Sequence, residues 1–307
     1  MKKCELYPVM ITPFNENGEI DFESTERLIA MFEKNNCDGI FAVCQSSEMF
    51  FMTNEEMLKL ASFCIKECHK RNMKCVVSGH TQNSICEQID YLKKLETLKP
   101  DAIILISNRL AREWEDDKVL IDNLERLVKA LEPETRLGIY ECPYPYKRLL
   151  TKEVLEYVIS TEHFDFIKDT CCNADTIAER NELIKGSCVK LYNANSATLK
   201  ESLESGAVGY SGIALNFIPE VFAMLNEALE NGRSADEIFN LIDVCSVYEN
   251  QNYPWNVKFY QMSLGNIKCD YTRNYKAPLS SSQKREILSL IQHVKLVREV
   301  LSAKRDN

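Results

Sequence analysis

The chain has 307 residues, of which 45% are hydrophobic and 27% charged, and its formal net charge is −9. This composition is typical of a globular protein with a substantial buried core. A negative net charge argues against a nucleic-acid or anionic-membrane surface, and no apolar run approaches the roughly 18–20 residues of a membrane-spanning helix. Because residues 1–8 lack a signal-peptide stretch, we expect an unexported, cytoplasmic protein.

Short apolar runs alternate with longer amphipathic stretches about eight times along the chain. The runs predict strands at 6–11, 39–43, 75–78, 102–106, 137–140, 166–169, 189–193 and 208–212. The amphipathic stretches predict helices at 25–35, 54–70, 84–98, 117–131, 151–160, 174–184, 198–204 and from 219 to about 231. Pro219 suits the first turn of the last of these helices.

Strands without polar alternation, each followed by a helix, indicate a parallel sheet that is covered on both faces. Eight such units favour a closed (β/α)₈ TIM barrel of the α/β class. The alternative is an open, doubly wound sheet, which would be expected to carry a glycine-rich turn after its first strand. The sequence at that place is Thr12-Pro13-Phe14, so the barrel is the better prediction.

The last part of the chain is predicted to be helical only, at 236–248, 255–264 and 281–301. Three helices do not readily form a core of their own. We therefore predict a barrel over residues 1–233 and a C-terminal helical extension, 234–307, that packs on it.

The chain has thirteen cysteines but no Cys-x-x-Cys, and its histidines do not add metal-ligand spacings. This pattern predicts reduced, mostly buried thiols in a cytosolic protein and no metal. A metal-dependent aldolase on the same barrel would need clustered histidine and carboxylate ligands. Only His80 is expected near the mouth of the barrel.

Lys168 lies near the end of the sixth predicted strand, in the run 164–170. Burial disfavours an ammonium ion and lowers its pKa, which makes the amine nucleophilic enough to form a Schiff base with a carbonyl compound. The alternative is a lysine just past the strand that reaches water.

Active sites of such barrels lie at the C-terminal ends of the strands. This rule brings together residues that are far apart in the sequence. Besides Lys168, the predicted site contains Gln45, Ser46 and Ser47 after strand two, Tyr140 and Glu141 at strand five, Asn193 at strand seven and Ser211 at strand eight.

Five stretches in this order resemble the dihydrodipicolinate synthase / N-acetylneuraminate lyase family of class I pyruvate aldolases. They are Pro8-Val9-Met10-Ile11-Thr12-Pro13-Phe14 with Gly18-Glu19-Ile20-Asp21, Ile139-Tyr140-Glu141-Cys142-Pro143, Phe166-Ile167-Lys168-Asp169-Thr170, Pro254-Trp255-Asn256-Val257-Lys258, and Lys276-Ala277-Pro278-Leu279.

The resemblance implies that Lys168 forms an imine with pyruvate or a related 2-oxo acid, without a metal or organic cofactor. Tyr140 would be the proton shuttle. The turn at 44–48 would hold the substrate carboxylate through Gln45, Ser46 and Ser47, with Glu48 as a buttress. The family also implies a homo-oligomer, a tetramer or a dimer.

Departures from the family pattern narrow the expected function. Pro145 stands where the synthase has a carboxylate-binding arginine, and the loop 107–112 lacks the synthase's paired tyrosines. Asn195-Ser196-Ala197 replaces the lyase's sugar-binding acidic pair, while Glu141 adds a carboxylate beside Tyr140. We therefore expect a carbon–carbon lyase or aldolase other than dihydrodipicolinate synthase or sialic acid lyase. The alternative is a drifted member that binds a keto acid or sugar acid without turnover.

Overall fold

The computed structural model describes residues 2–249, 251–274 and 277–303. Its strands are Glu5–Leu6 (β1), Gly39–Ala42 (β2), Lys74–Val77 (β3), Ala102–Ile106 (β4), Leu137–Tyr140 (β5), Phe164–Asp169 (β6), Lys190–Asn193 (β7) and Gly209–Tyr210 (β8). Its α-helices are Phe22–Lys34 (α1), Asn54–Lys70 (α2), Ile85–Glu96 (α3), Ser107–Leu110 (α4), Asp117–Ala130 (α5), Lys152–Ser160 (α6), Ala174–Ile184 (α7), Leu199–Ser205 (α8), Pro219–Glu230 (α9), Asp236–Glu249 (α10), Trp255–Ser263 (α11) and Ser281–Ala303 (α12).

The strands form one parallel sheet in the order β1-β8-β7-β6-β5-β4-β3-β2. Val9, three residues after β1, forms an isolated parallel bridge with Phe41 of β2. The sheet therefore curls into a nearly closed barrel. The predicted (β/α)₈ barrel is confirmed. The first strand is shorter than predicted. Tyr7 still donates its N–H to Tyr210 of β8, but Pro8 faces β2 and has no N–H group to donate to it.

Local sequence signals account for most of the helix boundaries. Thr53 caps α2 in a reciprocal capping box with Glu56, and Ser84 does the same with Glu87 at α3. Pro219 occupies the first turn of α9, as predicted. The four-residue helix α4 was not predicted, because so short a segment carries no helical periodicity.

Aromatic rings from several strands fill the barrel interior. Phe166 of β6 stacks on Tyr192 of β7 at 4.1 Å, and Tyr7 packs edge-on against both rings. Side chains two residues apart on a strand share a face. Lys168 therefore projects inward from β6, two positions beyond Phe166 toward the C-terminal end of the barrel.

The C-terminal segment is tied to the barrel by a buried ion pair. Lys258 of α11 donates to Glu48, which follows β2, and both side chains are at most 2% exposed. Glu48 also accepts hydrogen bonds from the Thr272 hydroxyl and from the backbone N–H groups of Arg273 and Asn274. The boundary at 233/234 stays a prediction, and Lys276 and residues 304–307 lie outside the described part of the chain.

Along the described ranges, no helix combines the length and the apolarity that crossing a membrane would require.

Removing one partner of the Glu48–Lys258 pair leaves an uncompensated buried charge. Lys258→Met is therefore expected to lower the free energy of unfolding by about 3–5 kcal/mol, measured by chemical denaturation. Lys129→Met is the matched control, because Lys129 pairs with Glu125 at the surface and such pairs contribute about 0–1 kcal/mol. Equal losses in the two variants would contradict the prediction.

Candidate active site

A cavity of about 520 Å³ opens at the C-terminal end of the barrel. Lys168 and Tyr140 line it together with residues from the loops after β2, β5, β6, β7 and β8 and from the C-terminal segment. These include Gln45, Ser46, Glu48, Phe50, Phe51, Pro143, Tyr144, Lys147, Thr170, Cys172, Ala194, Asn195, Gly212, Ile213, Tyr253, Pro254 and Asn274.

Lys168 is a buried amine with aromatic rings around it. Lys168 lies directly opposite Tyr140 in the register of β5 and β6, and only 5% of the residue is exposed. The Nζ atom lies 3.9 Å from the centre of the Tyr140 ring and 5.8 Å from that of Phe41. Burial lowers the pKa of Lys168 to about 8, against a smaller opposing effect from Cys44 and Cys142.

The phenol of Tyr140 donates a hydrogen bond to Oε1 of Gln45 at 3.2 Å. Burial raises the pKa of Tyr140 well above its ordinary value, so the hydroxyl keeps its proton at neutral pH. The thiol of Cys142 donates to the same oxygen of Gln45 at 3.5 Å. Gln45 therefore fixes the position of the phenol in the cavity.

The turn after β2 places Gln45 and Ser46 at the cavity, whereas Ser47 points away from it. The Ser47 hydroxyl donates to the carbonyl of Met10 at 2.6 Å and accepts from the N–H of Cys44. The left-handed backbone of this turn falls on Glu48, at a φ of 63°, and not on Ser47. Ser47 thus braces the turn and is not among the residues that line the cavity. Its contact with substrate stays a prediction.

Glu141 is fully buried beneath the site. Its carboxylate accepts the N–H groups of Leu150 and Thr170 and pairs with Arg180 at 2.8 Å. Arg180 also pairs with Asp169. Every one of these contacts is internal, and Glu141 is not among the residues that line the cavity. Its contact with substrate stays a prediction.

Two further predicted residues also miss the cavity. Asn193 donates to the hydroxyls of Thr198 and Ser202, which satisfy its amide inside the protein. Ser211 is fully buried, and its neighbour Gly212 lines the cavity instead. A Cβ on Gly212 would lie 2.5 Å from the carbonyl oxygen of Ala194, so the close approach at this end of β8 requires glycine.

Several cavity residues were not predicted from the sequence because they lie in loops, where no strand periodicity indicates which side chains face the barrel mouth. The most prominent are Phe50, Tyr144, Lys147, Tyr253 and Asn274. The aromatic composition of 50–51 and 144–146 was the available signal.

His80 is a core residue. The N–H of Ile106 donates to its Nδ1, so Nε2 carries the proton that is donated to Gln88 at 2.8 Å. Burial lowers the pKa of His80 to about 4, which keeps the ring neutral. Over the described residues, no group of three or more histidine, cysteine or acidic side chains is arranged to hold a metal ion.

The model of the "Dihydrodipicolinate synthetase family" matches residues 4–294. The chain belongs to the dihydrodipicolinate synthetase family. Among its relatives, the 4-hydroxy-tetrahydrodipicolinate synthase of Bartonella bacilliformis is 24% identical over 294 residues, which cover 94% of this chain and 97% of that protein. The same enzyme from Shewanella sp. strain ANA-3 is 25% identical and covers 86% and 88%.

Solved structures of the family share the fold. YagE, a prophage protein of E. coli K12 solved in complex with pyruvate, has a TM-score of 0.86 at 20% identity, covering 95% of this chain and 99% of that one. The Acinetobacter baumannii dihydrodipicolinate synthase, also complexed with pyruvate, has a TM-score of 0.83 at 18% identity, covering 96% and 99%. A monomeric dihydrodipicolinate synthase variant has a TM-score of 0.85 at 17% identity, covering 94% and 96%.

The depressed pKa of Lys168 predicts an unusual pH dependence of its reactivity. Only the neutral amine reacts with an acylating reagent, so labelling should rise with pH and reach half of its maximum near pH 8. N-acetyl-lysine amide is the control and should reach its half-maximum near about 10.4. Peptide mapping by mass spectrometry after short exposure measures the labelling, and a Lys168 half-point near the control value would contradict the prediction.

Proposed function

We propose that this protein is a Schiff-base lyase or aldolase that forms or cleaves a carbon–carbon bond in a 2-oxo acid, with pyruvate as donor or product. The observation that carries the proposal is the buried Lys168 amine beside the Tyr140 phenol in one cavity. The pyruvate complexes of two structural relatives support a pyruvate-like ligand.

The chemistry follows from the burial of Lys168. At neutral pH a useful fraction of the amine is unprotonated and attacks the keto carbon of the 2-oxo acid. Loss of water gives a protonated imine, which withdraws electrons from the bond beta to it. In the cleavage direction the aldehyde departs and an enamine forms. Protonation of the enamine carbon and hydrolysis of the imine then release pyruvate and restore the amine.

Tyr140 is the group that moves protons. Its hydroxyl stays protonated at neutral pH, and Gln45 holds it in the cavity that Lys168 also lines. We propose that this hydroxyl gives a proton to the oxygen that leaves as water, and that it exchanges a proton with the aldehyde oxygen.

The turn after β2 is proposed to hold the substrate carboxylate. The N–H groups of Ser47 and Glu48 bond to carbonyls within the turn. Those of Gln45 and Ser46 enter none of the backbone hydrogen bonds found in the described ranges, and both residues line the cavity. Two adjacent N–H groups with the Ser46 hydroxyl form a small nest for an anion.

The remaining expectations stay proposals. A homo-oligomer and a cytoplasmic location are expected of this chain, although one structural relative is a monomeric variant. The alternative function, a drifted member that binds a keto acid or sugar acid without turnover, is motivated by the serine-containing turn after β2.

Trapping with borohydride separates the two functions. Incubation with pyruvate and borohydride should add one reduced pyruvyl group to Lys168, since hydride reduces the imine to a secondary amine that water cannot hydrolyse. Lys168→Ala should gain no such mass. Lys147→Ala, which removes the other lysine among the described lining residues, should still be labelled. Intact-mass analysis and peptide mapping measure the adduct. If the wild-type protein gains no pyruvyl mass, the lyase or aldolase proposal fails and the alternative, binding without turnover, remains.

Tyr140→Phe removes the proposed proton shuttle but keeps the ring beside Lys168. The expected result is a loss of about 10²–10⁴ in kcat. Pyruvate dissociation constants should change little, because the carboxylate site lies on the β2 turn. Steady-state kinetics with equilibrium binding measure the two effects, and an unchanged kcat would exclude Tyr140 as the shuttle.

A further inference from the structure

The outer part of the cavity is rich in aromatic side chains. Besides Tyr140, the described lining residues include Phe50, Phe51, Tyr144 and Tyr253. The Phe50 and Tyr144 rings contact each other edge-to-face, with their centres 4.9 Å apart. We propose that this ring pair binds the acceptor of the reaction, and that the acceptor is an aromatic aldehyde. This inference rests on the proposed function and names the substrate class of the same site.

The first argument is exposure. Tyr144 is 49% exposed although its ring lines a cavity, so apolar surface lies open to solvent beside the proposed catalytic amine. Covering such surface with another ring is favourable, and aromatic pairs gain further from edge-to-face or offset geometry. An aldehyde whose substituent is a flat ring satisfies both conditions.

The second argument is preorganisation of Tyr144. The Nδ2 of Asn108 lies within hydrogen-bond distance of the carbonyl oxygens of Cys142, Tyr144 and Tyr146. Asn108 itself is buried, with 4% of its surface exposed. The backbone that carries the Tyr144 ring is therefore held in place before any ligand arrives, which reduces the entropy lost on binding.

The backbone that carries Phe50 is also held in place by buried contacts. It lies in a short 3₁₀ helix, Met49–Phe51, that begins directly after Glu48. Glu48 is anchored by Lys258 and by the backbone of Arg273. The guanidinium of Arg109 also lies over the Phe50 ring, 5.5 Å from its centre. Both rings of the pair thus sit on backbone segments that buried polar contacts fix.

The reaction with such an acceptor balances without a further reagent. The enamine formed from pyruvate at Lys168 attacks the aldehyde carbon through its terminal carbon, so one carbon–carbon bond forms. Tyr140, which has given its proton to the departing water, regains one from the pyruvate methyl group as the enamine forms and passes it to the aldehyde oxygen. Water then hydrolyses the imine and releases a 4-hydroxy-2-oxo acid that carries the aromatic ring.

A panel of aldehydes tests the proposal in the condensation direction with pyruvate. Benzaldehyde is compared with cyclohexanecarbaldehyde, which has the same carbon count but is not planar, and with glyceraldehyde, which is hydroxylated. The kcat/KM for benzaldehyde should exceed both others by about tenfold. An equal or greater kcat/KM for glyceraldehyde would overturn the proposal.

Variants locate the effect at the ring pair. Phe50→Leu and Tyr144→Leu should each lower kcat/KM for benzaldehyde by about tenfold and change that for cyclohexanecarbaldehyde much less. Phe63→Leu is the matched control, because Phe63 packs on Phe22 outside the cavity. Equal losses for both aldehydes in the ring-pair variants would overturn the assignment.

Two readouts separate this inference from the proposed function. Borohydride trapping of pyruvate should be unchanged in Phe50→Leu and Tyr144→Leu, since neither ring is proposed to contact pyruvate. If the wild type forms no adduct, the proposed function fails. Saturation-transfer NMR with benzyl alcohol and with glycerol then still tests the ring pair. A saturation-transfer signal for benzyl alcohol that is lost in Phe50→Leu supports the ring-pair site. Equal signals in the wild type and in Phe50→Leu overturn it.

Discussion

The site depends on one electrostatic constraint, which is an amine that is buried without a carboxylate partner in the described part of the chain. Its neighbours are the ring of Tyr140 and the thiols of Cys44 and Cys142, not a carboxylate. A carboxylate at this place would hold the ammonium form and remove the nucleophile. The stacked rings of Phe166 and Tyr192 fill the barrel interior below the amine. The packing of the barrel core therefore contributes to the burial that lowers the pKa of Lys168.

A second constraint joins the turn after β2 to the C-terminal segment. Glu48 is the residue at which the turn becomes left-handed, and its carboxylate collects contacts from α11 and from residues 272–274. The cavity is thus completed by a part of the chain that contributes no strand to the barrel. Tyr253, Pro254 and Asn274 reach the cavity on this segment.

Much of the fold follows from the sequence because its signals are local and repeated. Apolar runs and capping residues such as Thr53 and Ser84 place the elements, and the resemblance motifs place Lys168 opposite Tyr140. Side-chain direction at the strand ends was harder to predict. Glu141 directly follows Tyr140, so strand alternation puts its side chain on the opposite face, where it bonds to Leu150, Thr170 and Arg180. The aromatic loops were missed since only tertiary contacts bring them to the cavity.

The buried contact of Arg180 with both Glu141 and Asp169 has a consequence for how sequences of this kind can diverge. The guanidinium bridges Asp169 at the end of β6 and Glu141, the residue that directly follows β5. Replacing the arginine alone would leave two buried acids without their counter-ion. Replacing Glu141 alone would leave the N–H groups of Leu150 and Thr170 without their acceptor. The three positions are therefore expected to change together in descendants of this chain, and a lineage that inherits one of them should inherit all three.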